Sequence, residues 1–529
     1  MNRSRRRAAA ARRSLRRLAT AVALEVRVEW RYRIVAVAAV FALGWTVPLL
    51  AVPAPAARTL GPVLLFVDTA AFGAFFIALL LITERAEGAL AALRVTPLRA
   101  GEQVGAKLGV LTGLSVVAAV PIVAVVVGRD GGTWSTVAAA GLALLGVALT
   151  ALLILLASLL LVLRQPTVAG YLTAAPLVLL PGLAVPLAYL TGLLDHPVGQ
   201  LVPTTGTAEL IRAGLAGTAA VSWWQVGAST GYAAGWIVGA TLLALRRFDR
   251  VFAAPDAARR SAVTPARPAA RPVPRSGWPV GWLPALLRVD LRALGADRLL
   301  AVLLCAPLLL AVALRFGVPS ATAFVDQRYG VDLAAHRDLL LALLVLAHVP
   351  VIGGMVGALL LLDDVDERRL LLIRVTPVTL QRYLGYRVGV TAALTTVGLL
   401  IAVPLSGLAD ADPRWLVPAV LVAAGQAVLV LLAVTGYAAN KVHGLALLKL
   451  FGGAVMVLAA LPWLPVPAQW PAAASWPVAL LPPAAVSLTQ QAGAAGAYWP
   501  ACGYAALGAT VTVVGATLLA RRVSTRFTS

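Results

Sequence analysis

The sequence predicts an all-α polytopic membrane protein, with about twelve transmembrane helices set as two six-helix repeats in the same orientation. Three observations carry that prediction. Hydrophobic residues make up 60% of the 529 and charged residues only 12%, too little polar surface to cover a soluble domain of this length. Apolar stretches of about 20 residues recur along the chain, the length at which a helix crosses a bilayer. One charged segment occurs twice, 280 residues apart. A β-barrel would show short alternating segments instead.

Taken in order, residues 1–33 form a basic tail ending in an amphipathic helix, in which Leu15, Leu18, Val22 and Val26 share a face beside Arg13, Arg16, Arg17 and Arg27. The tail is too long and too basic for a cleaved signal peptide. The first half, 34–250, holds spans at 34–53, 61–82, 105–128, 135–163, 167–192 and 225–246. Residues 251–280, rich in Pro, Ala and Arg, read as a disordered cytoplasmic linker, and their arginines also permit attraction to anionic lipid. Residues 281–298 repeat the amphipathic helix, with Leu283, Leu286, Leu287, Leu291 and Leu294 on one face and Arg288 and Arg292 on the other. Such helices lie in the membrane interface or pack on a partner. The second half, 299–529, holds spans at 299–317, 338–362, 386–407, 415–438, 444–463 and 497–520.

An even number of spans per half gives both halves one orientation. With the N-terminus inside, 37 of the 44 Lys and Arg residues fall on the cytoplasmic side, so both termini are expected there and the plasma membrane is the expected location. The formal charge of +22 therefore follows from topology, and nucleic acid is not an expected partner. Cys305 and Cys502 read as small buried hydrophobes, not half-cystines, and the four histidines show no metal-ligand spacing.

The duplicated segment follows the second span of each half. "ITERAEGALAALRVTPLRAGEQVGAKLG" runs from Ile82 to Gly109, and "LLDDVDERRLLLIRVTPVTLQRYLGYRVG" from Leu361 to Gly389. Under the shift of 280, Glu84 meets Asp364, Glu87 meets Glu367, Leu90 meets Leu370 and Lys107 meets Arg387. Arg94, Val95, Thr96 and Pro97 meet Arg374, Val375, Thr376 and Pro377. Acidic residues suit a helix N-terminus. Leu90 and Leu93, and Leu370 and Ile373, give a short apolar stripe, and Thr-Pro ends the helix because the residue before proline avoids the α region. The segment predicts a short helix lying across the cytoplasmic face.

At these residues the chain resembles the permease subunits of type-2 ABC exporters, whose second span is followed by a pattern E-R-E-R-G-T-L-E-Q-L-L-V-T-P. Glu84, Gly88, Leu90, Leu93, Thr96 and Pro97 match it, while Ala89 and Ala91 replace its threonine and third glutamate. In the second copy Asp364, Leu370, Thr376 and Pro377 fit, and Arg368 stands where glycine belongs. The resemblance extends to the helix before the first span and to an external segment before the sixth, here "LVPTTGTAELIRAGLAG" and "LLPPAAVSLTQQAGAAG". It implies two fused permease units whose coupling helices dock in clefts of cytoplasmic ABC ATPase subunits, either two copies or a heterodimer. It also implies that the second spans line the central interface between halves.

No G-x-x-x-x-G-K-[ST] loop occurs in the chain: "GEQVGAK", Gly101 to Lys107, has the wrong spacing and no hydroxyl after the lysine. ATP and Mg are therefore expected on the partner, and this chain is expected to be a transport permease, not an enzyme. The spans hold few polar side chains, so the expected cargo is an amphipathic or lipophilic small molecule or lipid. The alternative is a twelve-span secondary transporter driven by an ion gradient, against which the duplicated segment argues. Asp68 and His348 meet under the same shift, both in the second span of their half. Asp68 lies about 9 Å down its helix from Pro62. Water and a nearby carbonyl satisfy such groups in the plain reading, and a polar gate between the halves is the sharper one.

Overall fold

A computed structural model describes residues 2–31, 34–51, 54–86, 96, 98–130, 134–165, 168–194, 196–216, 222–253, 283, 284, 286–288, 290, 292, 298–329, 332–366, 379–409, 412–438, 441–463 and 475–528. It divides into two compact units, Met1–Trp278 and Pro279–Ser529. Among the described residues all regular structure is helical, as the apolar periodicity predicts.

Unit one contains α1 (Asn2–Arg31), α2 (Ile34–Ala51), α3 (Ala54–Ala86), α4 (Ala100–Val127), α5 (Trp134–Arg164), α6 (Val168–Leu190), α7 (Pro203–Ala216) and α8 (Trp223–Ala253). The long apolar α5 is its hub and packs against α3, α4, α7 and α8. Phe66, Ile122, Val126, Val147 and Ile211 form the centre of the core. Helix α7 is short but buried from Thr204 through Leu215 apart from half-buried Glu209 and Arg212. Two glycines let it sit directly on α5. A Cβ at Gly214 would lie 2.5 Å from the backbone O of Ala139, and one at Gly146 would lie 2.8 Å from that of Thr207. Thr150 and Thr207 share a hydrogen bond of 2.7 Å there, satisfying two hydroxyls away from water.

Unit two contains α9 (Arg298–Tyr329), α10, α11 (Leu380–Ser406), α12 (Pro413–Tyr437), α13 (Lys441–Ala460), α14 (Pro482–Ala494) and α15 (Tyr498–Thr528). Helix α10 comprises Arg337–Leu341, a π-helical turn Ala342–Ala347, and His348–Asp366. Pro350 lacks the N–H that an α-helix would use there, and a widened turn just before it is a common accommodation. The hub is α12, the counterpart of α5, packed against α10, α11, α14 and α15. The short buried α14 is the counterpart of α7, anchored by Gln426 Nε2 to the Pro482 carbonyl at 2.9 Å and by Ser487 Oγ to the Ala459 carbonyl at 2.8 Å. Both segments that the sequence placed before the sixth spans are thus packed helices.

Among the described residues all twelve predicted span segments are mainly helical, and nine helices are long and apolar enough to cross a membrane. Val168–Leu190, within the predicted segment 167–192, remains one helix through Pro176, Pro181 and Pro186. One expectation needs correction. Cys305 and Cys502 are free as read, but both are exposed on helix surfaces and not buried, because each lies on the outward face of a peripheral helix. Each amphipathic helix turns an acid inward, with part of its leucine face exposed. In α1 Ala21, Glu25 and Glu29 turn inward while Val26, Leu24 and Trp30 are exposed. In the second unit Asp290 is buried and Leu283 and Leu287 are exposed.

Candidate functional site

The inward acids meet a buried cation. Helix α1 lies along the start of α4, and two polar contacts join them. At the rim, Arg17 Nη2 donates to Glu102 Oε1 at 2.9 Å and Ser14 Oγ donates to the same oxygen at 2.9 Å. Glu102 also accepts from the Arg99 N–H at 3.1 Å, which satisfies one of the free donors at the start of α4. Deeper in, Lys107 is 3% exposed. Its Nζ donates to Glu25 Oε2 at 2.9 Å and to Glu84 Oε1 at 2.6 Å. Glu84 is in the last turn of α3 and Lys107 is seven residues into α4, so the pair joins the two ends of the first duplicated segment. Glu29, one turn past Glu25, is buried as well. Burial, and next the charge of Glu25, push its carboxyl up to about 8 against the opposing pull of Lys107, so it is largely protonated at neutral pH.

The second unit builds the same arrangement from different residues. Arg387, seven residues into α11 as Lys107 is into α4, is 6% exposed. Its Nη1 donates to Asp290 Oδ2 at 2.8 Å, its Nη2 donates to Asp364 Oδ2 at 2.6 Å, and its Nε donates to the Tyr383 hydroxyl at 2.8 Å. Tyr383 in turn donates to Asp364, and the Tyr386 hydroxyl donates to Asp290 Oδ2 at 2.7 Å. Asp364 lies in the last turn of α10 and Asp290 belongs to the helix before α9. In each unit, then, one cation from the third long helix holds one acid from the end of the second and one acid from the amphipathic helix. A buried charge is tolerable only when paired in this way.

The predicted site residues divide sharply. Glu84 and Asp364 lie in these clusters, and Thr96 is exposed. Glu87, Gly88, Leu90, Leu93, Arg94, Pro97, Glu367, Leu370, Ile373, Arg374, Thr376 and Pro377 lie outside the described residues. Asp68 accepts a hydrogen bond from Trp45 Nε1 at 3.3 Å, which ties α3 to α2 within its own unit. His348 is half-buried where α10 resumes after the π-turn. Among the described residues no His, Cys, Asp and Glu group is arranged to hold a metal ion.

The shift of 280 pairs Lys107 with Arg387 and Glu84 with Asp364, but it misses the third member of each cluster. It sets Glu25 against Cys305 and Asp290 against Ala10, because the chain from the start of the first long helix to the duplicated segment is longer in the second half, Arg298 to Asp364 against Ile34 to Glu84. The available signal was an acid eight or nine residues before the first long helix of each half: Glu25 before Ile34, and Asp290 before Arg298.

Comparison with known proteins agrees with this duplication. The family model for the fluoroquinolones export permease protein family matches residues 16–255, and the one described as fluoroquinolones export permease protein Rv2686c-like matches residues 290–520. The fluoroquinolones export permease protein Rv2686c of Mycobacterium tuberculosis is 34% identical over 182 residues, covering 34% of this chain and 72% of that protein. Its Rv2687c namesake from the same organism is 32% identical over 216 residues, covering 41% of this chain and 88% of that protein. Each relative is therefore roughly half as long as this chain. No solved structure gives a significant match. With one family match on each half, the chain belongs to the fluoroquinolone export permease family, as two permeases joined end to end in one polypeptide.

Proposed function

We propose that the chain is the membrane-spanning permease of an ABC exporter, coupling ATP hydrolysis on separate cytoplasmic ATPase subunits to the efflux of amphipathic small molecules of the fluoroquinolone kind. On this reading twelve helices cross the plasma membrane, both termini are cytoplasmic, and ATP and Mg bind only the partner. The observation that carries the proposal is the duplicated segment between the second and third long helices, rooted in the same three-way ion cluster in both units. The names of the relatives support the export direction and the substrate class. Glu87, Gly88, Leu90, Leu93, Arg94, Thr96 and Pro97, with Glu367, Leu370, Ile373, Arg374, Thr376 and Pro377, are the residues proposed to face the ATPase.

The test is purification from native membranes together with a fluoroquinolone accumulation assay. A soluble ATPase should copurify, and efflux should stop with orthovanadate and survive a protonophore. Efflux that collapses with the protonophore, with no ATPase bound, would establish a secondary transporter instead. Asp68 and His348 are proposed to line the exit path, so Asp68→Asn and His348→Ala should each lower efflux while the ATPase stays bound. Full efflux by the double variant would dismiss that role.

A further inference from the structure

Both ends of each duplicated segment are tied at the root. Residues 85–106 leave from Glu84 and return at Lys107, and these two are joined at 2.6 Å with side-chain exposures of 15% and 4%. Residues 365–386 leave from Asp364 and return at Arg387, also joined at 2.6 Å, with 7% exposure on each side. The third acid binds the same cation and comes from outside the segment, from the amphipathic helix before the first long helix.

The two clusters share geometry but no residue types. Lysine is replaced by arginine, and both glutamates by aspartates. Each shorter acid meets a longer, forked cation, so the three-way junction is retained while its parts change. Two tyrosine hydroxyls further brace the second junction. Stability alone is a weak reason for two such clusters, since well-packed apolar residues generally serve a buried position as well or better. A buried pair does offer stiffness: opening it strands a charge away from water, so the linked helix ends move together or not at all.

We propose that Lys107 and Arg387 are positioning residues that clamp the two ends of each coupling segment to one another and to the amphipathic helix, so that displacement of the segment by the ATPase reaches the membrane helices as one rigid movement. This inference rests on the coupling reading above. It gives Glu84 and Asp364 a role inside the permease, at the base of the segment and not on its docking face.

The experiment uses the full chain with its copurifying ATPase in liposomes, and compares Lys107→Gln and Arg387→Gln with the conservative Lys107→Arg and Arg387→Lys. Three quantities are read: ATP hydrolysis, fluoroquinolone transported per ATP, and hydrogen exchange of peptides covering 14–31 and 98–106. The Gln variants should still hydrolyse ATP and bind the ATPase, with transport per ATP lowered about tenfold, within the usual range of coupling between sites. Exchange in 14–31 should rise, and the conservative variants should recover most of the transport. Glu84→Gln is the milder second variant, because Lys107 keeps Glu25 as counter-ion; it should lower transport per ATP in the same direction even if Lys107→Gln fails to assemble. Wild-type transport per ATP in Lys107→Gln or Glu84→Gln overturns the clamp, as does a loss that Lys107→Arg shares in full. If wild-type transport ignores orthovanadate, the ATP-driven reading fails. The clamp is then judged on exchange, and unchanged exchange at 14–31 in both variants overturns it.

Discussion

Lys107 is a charge in an apolar helix, and its neighbours explain how it stays there. Two carboxylates surround one ammonium, and removing one partner of such a buried pair costs about 3–5 kcal/mol. Glu29 extends the cluster with a third carboxyl that would overload it with negative charge, and it escapes by keeping its proton. Its folded value of about 8 lies above the ordinary 4.5, so the folded state holds the proton more tightly than the unfolded chain does. Its favourable contribution is complete below about 4.5 and is lost as pH rises through about 8. The thermal midpoint of the detergent-solubilised chain should therefore fall over that window, and Glu29→Gln, which cannot ionise, should flatten the fall. Parallel curves for the two proteins would show that Glu29 does not titrate there. Periodicity is blind to this residue. It sees an acid on a basic helix, and only packing against α4 shows which way the acid points.

At the level of elements, the helices follow from hydropathy, whereas their closeness follows from where glycine sits. A Cβ on Gly214 would strike the backbone of Ala139 and Ala143 at 2.5 Å, and backbone cannot rotate away as a side chain can. Gly214→Ala should therefore cost about 1–3 kcal/mol by forcing α7 off α5. Helix α8 supplies the control. Gly227, Gly231, Gly235 and Gly239 recur every fourth residue, and a methyl added at any of them would meet nothing within 4 Å. Gly235→Ala should be neutral in stability or gain about 0.5–1 kcal/mol from helix preference. Thermal unfolding of the two variants side by side is the check, and equal effects would contradict the packing argument. In the sequence all these glycines look alike, since spacing records the helical face but not what that face meets.

For the whole molecule, duplication has produced two units with the same plan and different details. Both place the fourth long helix at the hub and bury a short helix before the last one. The second unit adds a π-turn to α10, exchanges lysine for arginine in its ion cluster, and carries Arg368 where the first has Gly88. Unequal halves should respond unequally to matched changes. Leu90→Asp and Leu370→Asp are expected to differ in severity when fluoroquinolone efflux and ATPase binding are measured for each. Identical losses would mean that the two proposed docking faces are equivalent.

Composition, span length and the internal repeat were sufficient for the class, the helical segments, the two-unit plan and the position of the duplicated segment. These depend on local chain chemistry: apolar runs must become helices wherever water is excluded, and a repeated sequence repeats its local structure. The sequence also aligned Lys107 with Arg387 and Glu84 with Asp364, since those positions keep their spacing. Tertiary structure alone brought in Glu25 and Asp290, turned their helices acid-side inward, and set Asp68 against Trp45. Each of these is a contact between residues from 23 to 97 positions apart. Such a contact depends on the rotation of one helix about its axis relative to another. That rotation is set by the sum of packing and charge pairing over both surfaces, which no single helix carries in its own sequence.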